Sequence, residues 1–234
     1  MEYQIEGPLL KDKIWPAREV QTSTNVPGPV KIIMDWVCSY VMRPHPNLGR
    51  SGVVCPYVPP AMKLNSVWLA LVPTDSAAKK DLCSTVEKYL RIYQSLDASP
   101  GEGRELKSLI LIFPDIPDHE ACALIKDVHM KMKPQIVEAG LMLGEFFIGN
   151  DSPGLHNPQF HPLTSPFPLL IYRRMMMNDL VFLTKPSDPP ESRAQFVRAY
   201  LRTFGDRLPA DRRKEAETAL AAAGSMTAHA TASS

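Results

Sequence analysis

The sequence predicts a single α+β domain in which a small mixed sheet of about four strands carries packed helices. Short, nearly continuous apolar runs bounded by turn residues predict buried strands. Longer segments with apolar residues at spacings of three and four predict amphipathic helices. The two kinds of segment alternate along most of the 234 residues, with no internal repeat and no linker. Helices packed on one sheet are the arrangement that buries both kinds of apolar face.

Three regions follow from the positions of prolines and small polar residues. Residues 1–29 contain four prolines and predict an irregular N-terminal arm lying over the domain. Residues 30–223 are predicted to form the α+β domain, with a proline-rich loop over 43–60. Residues 224–234 are low in complexity and predict a disordered tail.

The elements of the domain are predicted from these periodicities. The strands are expected at 66–72, 109–113, 141–148 and 169–173. The helices are expected at 30–42, 75–96, 118–132, 188–205 and 209–223. The apolar stripe of the third helix consists of Cys122, Ile125, Val128, His129 and Met132. Pro134 is expected to end or kink this helix because proline has no backbone N–H to donate.

Charge and cysteine usage exclude several classes of function. Lys plus Arg number 26 against 25 for Asp plus Glu, a net charge of +1 that argues against a nucleic-acid partner. The N-terminus has no basic segment followed by an apolar one, and the longest apolar run is too short to span a bilayer. The four cysteines form no CxxC pair, which predicts reduced thiols and a cytoplasmic protein without membrane contact.

The common catalytic signatures are absent from the sequence. It contains no glycine-rich phosphate loop, no HExxH, no GxSxG and no EF-hand loop. Nucleotide-dependent transfer, zinc hydrolysis and serine hydrolysis are therefore disfavoured. A candidate site has to be sought among weaker signals.

His129 is the first of these signals, because it lies on an apolar helix stripe. A neutral imidazole facing a hydrophobic cavity is how a helix presents an axial ligand to haem iron. The alternative interpretation is a core histidine whose ring nitrogens find backbone partners. The residues alone favour the core histidine.

The loop over 149–168 carries the second signal. Long loops without regular structure are often functional, and this one contains His156 and His161. With Asp151 as a third ligand they could bind a non-haem metal. Cys55, in the earlier proline-rich loop, is interpreted as a structural thiol because no basic residue adjoins it.

The third signal is the pair Arg173 and Arg174 at the end of the fourth predicted strand. Strand alternation sends one side chain toward each face of the sheet. An inward arginine requires an anion, such as a substrate carboxylate or a cofactor propionate. A surface charge, or a salt bridge to Glu145 or Asp179, is the equally favoured alternative.

Several segments together resemble an actinobacterial family of uncharacterised domains that is common in natural-product gene clusters. They are WPAREV (15–20), GVVCPYVPPAM (52–62), WLAL (68–71), LILIFPDI (109–116), KPQIVEAGLMLGEF (133–146), GLHNPQF (154–160) and SPFPLLIYRRMMMNDLVFL (165–183). The resemblance extends over roughly residues 15 to 205. It implies a role in antibiotic biosynthesis and names no reaction.

The order of these segments is also distantly similar to the YqcI/YcgG family of haem-dependent N-oxygenases. That similarity implies an iron-containing monooxygenase that binds haem b and hydroxylates an amino-acid nitrogen, for which the L-arginine guanidine is a candidate. It implies His129 as the iron ligand, with Arg173, Arg174 and His156 among the cofactor-binding residues. Glu145 is the candidate partner of a substrate guanidinium.

Two other functions stay open at this point. One is a cofactor-free biosynthetic accessory or small-molecule binding protein in which His129 only packs. The other is a non-haem iron enzyme that uses His156 and His161. A homodimer is also left open, and the sequence names neither the oxidant nor the substrate.

Overall fold

A computed structural model describes residues 13–98 and 100–231 of the chain. In these residues the chain is a single α+β domain, as the sequence predicts, with five strands rather than about four. The strands are β1 (Ile14–Pro16), β2 (Val67–Leu71), β3 (Ser108–Ile112), β4 (Leu141–Phe146) and β5 (Leu169–Arg174). All four predicted strands are confirmed, and β1 is the additional one.

The five strands form one mixed sheet in the order β1-β2-β3-β5-β4. β1 pairs antiparallel with β2, with Trp15 opposite Leu69, and β2 pairs parallel with β3. β3 pairs antiparallel with β5, so that Ser108 lies opposite Arg173. The parallel pair requires a crossover connection between its strands, and the helical segment between β2 and β3 provides it.

The helices of the described residues are ten α-helices and four short helices of other types. The α-helices are α1 (Ala17–Thr22), α2 (Gly28–Trp36), α3 (Val58–Lys63), α4 (Ser76–Lys80), α5 (Leu82–Ser95), α6 (Glu102–Glu105), α7 (Asp118–Glu138), α8 (Leu180–Leu183), α9 (Pro190–Phe204) and α10 (Ala210–Thr231). A π-helix follows α2 at Val37–Val41, and 3₁₀ turns lie at Pro46–Leu48, Met177–Asp179 and Gly205–Arg207. None of the helices described has the length and hydropathy of a membrane span.

The chain divides into two compact units, each described by itself. The first contains the residues up to 131 together with 144–173, and the second contains 132–143 together with the residues from 174 onwards.

In the first unit, α1 and α2 bury one face of the sheet. The buried residues of this core are Trp15, Ala17, Val20, Val26, Val30, Ile33, Met34, Val37, Ala61, Val67, Leu69, Ile110, Ile112 and Leu169. On the opposite face, Tyr172 of β5 donates its hydroxyl to the carbonyl of Val86 in α5 at 2.6 Å. Its ring lies 5.8 Å from that of Tyr93 on the same helix.

The second unit has its own core, formed mainly by α8, α9 and α10. Its buried residues include Val137, Met142, Met175, Leu180, Leu183, Phe196, Val197, Ala199, Tyr200, Phe204, Leu208 and Ala216. At its edge, Lys133 forms an ion pair with Asp188 at 2.6 Å and lies over the ring of Phe196. The amphipathic helices predicted over 188–205 and 209–223 correspond to α9 and α10 and are confirmed.

The N-terminal region corrects the sequence prediction. An irregular arm was expected over residues 1–29, but β1, α1 and the start of α2 lie within residues 14–29. Pro16 and Pro27 are the N-cap residues that directly precede α1 and α2. Proline is well suited to a helix start because the N–H it lacks would have no partner there. Residues 1–12 lie outside the described part of the chain.

Two helix predictions also need correction. The helix expected over 75–96 is interrupted at Asp81, whose carboxylate caps the N-terminus of α5 by accepting from the Ser84 N–H. α7 continues through Pro134 to Glu138. α10 extends from Ala210 to Thr231, past the point at which the tail was expected to begin, and residues 232–234 lie outside the described residues.

Candidate functional site

The candidate site in the first unit consists of His129 on α7 and Glu145 on β4. The Nδ1 atom of His129 lies 3.6 Å from Oε2 of Glu145, within reach of an ion pair. The two side chains are 19% and 15% exposed, so both are largely shielded from water. A carboxylate in this position favours a proton on Nδ1, which leaves the lone pair on Nε2. The pair can therefore orient an imidazole for ligation or for proton transfer.

Helix and strand periodicity explain why these two side chains meet. On α7 the buried residues Ile125 and Val128 anchor the face next to His129. The stripe predicted for this helix is wrong at Cys122, which is exposed. Along β4, Phe146 packs against the core on the side of α1 and α2. Alternation then sends Glu145 to the other face of the sheet.

A second ion pair lies beside the first. Lys126, one turn before His129 on α7, holds Asp151 at 2.9 Å. The Lys126 hydrogen bond keeps the pKa of the Asp151 carboxyl below its usual value, and the same bond raises the pKa of Lys126. Glu145 contributes to the raised pKa of Lys126 through its charge. The carboxylate at His129 therefore lies in the field of a lysine cation.

The remaining histidines whose side chains are described differ from His129. Nδ1 of His45 accepts the N–H of Asn47 at 3.2 Å, so a neutral His45 carries its proton on Nε2 and has no lone pair left for a metal. His156 and His161 are exposed, and the side chain of His119 is 80% exposed. Within the described ranges, no three His, Cys, Asp or Glu side chains converge to hold a metal ion.

The two arginines at the end of β5 point to different surroundings, as strand alternation predicts. The guanidinium of Arg173 lies 5.8 Å from the ring centre of Tyr57. Arg173 lies two residues after Ile171 on β5, so both side chains project from the same face of the sheet. Ile171 packs against the core under α1 and α2. Glu145 projects from the other face. Arg174 belongs to the second unit, where it lines a surface depression with Arg202.

A row of rings runs along the α2 side of the first unit. Phe146 and Trp36 have centroids 5.7 Å apart, Trp36 and Tyr40 are 5.8 Å apart, and Tyr40 and His45 are 6.0 Å apart. His45 stacks on Phe160 at 4.4 Å. The π-helix begins directly after Trp36 and contains Tyr40. Such single turns are common near functional sites. The row ties the proline-rich loop over 149–168 to α2.

Sequence reasoning missed several residues around these sites. Lys126 could have been found, since it precedes His129 by three positions on a predicted helix and so shares its face. Tyr57 and Arg202 could not have been predicted. Tyr57 lies near Arg173, and Arg202 lines the same depression as Arg174, only because the fold brings distant parts of the chain together. No sequence period connects such positions.

One family profile matches the chain, and the match extends over residues 30–215. The profile is that of the Domain of unknown function (DUF6875). Because the match covers more than half of the sequence, the chain belongs to this family. No curated protein and no solved structure shows significant similarity to this chain.

Proposed function

We propose that this member of a family of unknown function is a cytosolic haem-dependent N-oxygenase that hydroxylates an amino-acid nitrogen in antibiotic biosynthesis. His129 is the proposed axial ligand of a haem b. One observation carries the proposal: the imidazole of His129 is mostly buried with its Nδ1 facing the carboxylate of Glu145. The distant similarity to the YqcI/YcgG family adds the type of reaction.

The donor chemistry of this pair fits an iron ligand. Histidines that bind metals almost always donate their other ring N–H to a carboxylate, a carbonyl or water. The Oε2 atom of Glu145 lies 3.6 Å from Nδ1 of His129, so a shift of a few tenths of an ångström would let it accept the Nδ1–H and leave Nε2 as the ligating atom. His45 has the opposite hydrogen-bonding pattern at its Nδ1. The pairing therefore distinguishes His129 from His45 as the candidate ligand.

The surrounding side chains have supporting roles in this proposal. A haem held by His129 would supply the iron at which an oxidant is activated. In the haem-bound protein, Glu145 would accept the Nδ1 proton of His129 and fix the plane of the imidazole. Lys126 lies on the same helix face as His129 and pairs with Asp151 at 2.9 Å. It is the candidate partner of a propionate, which would compete with Asp151 for its ammonium group. Arg173, on the other face of the sheet, does not fill that role.

The position of Glu145 also bears on the substrate. A substrate guanidinium, for which the sequence makes Glu145 a candidate partner, would compete with His129 for the same carboxylate. We therefore assign Glu145 to His129, and leave the L-arginine guanidine as one candidate among amino-acid nitrogens.

The test is an absorption spectrum of the purified protein after expression with a haem precursor. We expect a Soret band, and we expect His129→Ala to abolish or shift it. His119→Ala is the matched control, since it changes an exposed histidine on the same helix. A colourless wild-type protein that also fails to take up added haemin overturns the proposal. An unchanged Soret band in His129→Ala moves the ligand to another histidine.

A second variant tests the role of Glu145. Glu145→Gln keeps the size of the side chain and removes its charge, so the imidazole loses a carboxylate acceptor and keeps at most the weaker amide oxygen. Removing such a partner typically weakens metal affinity about 10–100-fold. Haemin titration followed at the Soret band measures this change, and an affinity equal to that of wild type contradicts the assigned role.

A further inference from the structure

A shallow surface depression in the second unit is lined by charged and small residues. Its volume is about 350 Å³, near the lower end of the range of about 300–1,000 Å³ that ligand pockets occupy. Its lining residues are Glu138, Ala139, Gly140, Arg174, Ala199, Arg202 and Thr203. None of them belongs to the site around His129.

Residues with little or no side chain create the space. Ala139 and Gly140 follow the C-terminal end of α7, and Ala199 faces them from α9. Gly140 has a φ of +71°, which L side chains rarely adopt, and a Cβ there would lie 3.1 Å from Oγ1 of Thr203. The carbonyl of Gly140 accepts the N–H of Met175, the first residue after β5. This hydrogen bond holds the turn at Gly140 next to the end of β5.

The charges that line the depression are of both signs. Arg202 of α9 donates from Nη2 to Oε1 of Glu138 at the end of α7. These two side chains are 56% and 51% exposed, so both remain accessible to a solute. Arg174 adds a second guanidinium. A simple anion would meet the two arginines and would also be repelled by Glu138.

A zwitterion satisfies this mixture better than an anion or a cation does. A carboxylate can pair with the planar fork of Arg174, and an ammonium group can pair with Glu138. The hydroxyl of Thr203 donates to the carbonyl of Ala199 at 2.8 Å. Its oxygen lone pairs are therefore available to accept from an ammonium group. We propose that this depression binds the α-amino and α-carboxylate groups of a free amino acid.

The proposal does not depend on haem. An absorption spectrum without a Soret band would remove the proposed oxygenase and leave this site unaffected. Conversely, loss of amino-acid binding here would leave the pairing of His129 with Glu145 unchanged.

The test is an NMR titration of the full chain with glycine, acetate and methylammonium, which separates a zwitterion into its two halves. We expect glycine to shift the Gly140 amide and the Thr203 methyl saturably, at a concentration about tenfold lower than either half requires. Saturation by all three at similar concentrations overturns the proposal, as does the absence of a saturable shift with glycine.

Three variants assign the contacts. Arg174→Gln should weaken the response to both glycine and acetate. Glu138→Gln should weaken the response to glycine and leave that to acetate equal or stronger, because it releases Arg202. Arg198→Gln changes an exposed arginine of α9 outside the depression and should alter neither response.

Thr203→Val keeps the shape of the site without the hydroxyl, and should weaken glycine binding while leaving acetate binding unchanged. It provides the decisive comparison if an arginine variant fails to fold, which the amide spectrum reveals. Equal glycine binding by wild type, Glu138→Gln and Thr203→Val would overturn the assignment of the ammonium position.

Discussion

Replacing Tyr172 by phenylalanine should destabilise the protein at neutral pH and have the opposite effect at high pH. The side chain is fully buried, and its hydroxyl donates to the Val86 carbonyl at 2.6 Å. A typical intramolecular hydrogen bond contributes about 1 kcal/mol. Val86 lies within α5, where its carbonyl also has a main-chain role, so we expect a loss of about 1 kcal/mol at pH 7.

The pH dependence follows from the environment of the phenol. Burial, and secondarily the charge of Glu87, raises the pKa of Tyr172 above its ordinary value of 10.0. The stability due to the protonated Tyr172 is therefore complete below pH 10, and it is lost as the pH rises and the unfolded chain ionises. The loss is about 1.4 kcal/mol for each pH unit above that value. Near pH 11 it should cancel the advantage of wild type over Tyr172→Phe.

Urea denaturation followed by circular dichroism, at pH 8 and at pH 11, measures both free energies of unfolding. Comparing wild type with Tyr172→Phe at each pH cancels the contributions of the other titrating groups. A difference between the two proteins that stays constant from pH 8 to pH 11 would refute the reasoning. It would mean that Tyr172 titrates alike in the folded and unfolded chains.

Two further stability predictions concern the second unit. Gly140→Ala should lower the free energy of unfolding by about 1–3 kcal/mol, because the residue has a positive φ and its new Cβ would press on Thr203; a melting temperature equal to that of wild type would contradict this. Asp188→Asn removes the charge that pairs with Lys133, whose side chain is 12% exposed, and should cost about 1.5–3 kcal/mol in urea denaturation. A loss of unfolding free energy below about 1 kcal/mol, as for an exposed ion pair, would contradict this and show that water solvates the Lys133 ammonium in the variant.

The sequence was sufficient to predict the interior of the sheet. The runs around Leu69 and Leu111 are apolar on both faces, so they had to be buried on both sides wherever the neighbouring elements lay. β1 could not be predicted in this way, because it has three residues and lies between prolines. Its pairing with β2 arises from tertiary contacts, which leave no period in the sequence.

Prolines were the main source of error. They were interpreted as interruptions, and at Pro16 and Pro27 they mark helix starts instead. Pro134 lies inside α7 and does not end it. A proline inside a helix removes one hydrogen bond and strains the preceding turn, and packing on both sides of the residue can outweigh that cost. The sequence shows the proline but not the packing.

The candidate site was predictable in its residues and less so in its geometry. His129 and Glu145 were both named from the sequence, but their contact depends on how α7 crosses β4. The separation of Arg173 from Arg174 followed directly from strand alternation. Their different neighbours, Tyr57 and Arg202, became known only from the fold. The assignment to haem chemistry rests on a distant resemblance and stays a prediction.

The first strand has a consequence for anyone who shortens this protein. The family profile begins at residue 30, whereas Trp15, Ala17 and Val20 lie in the core of the first unit. A chain trimmed to the profile would lose these side chains and would expose the backbone edge of β2. Uncovered edges of this kind associate with one another. The unit that folds is thus longer than the unit that the family comparison recognises, and a trimmed version should aggregate.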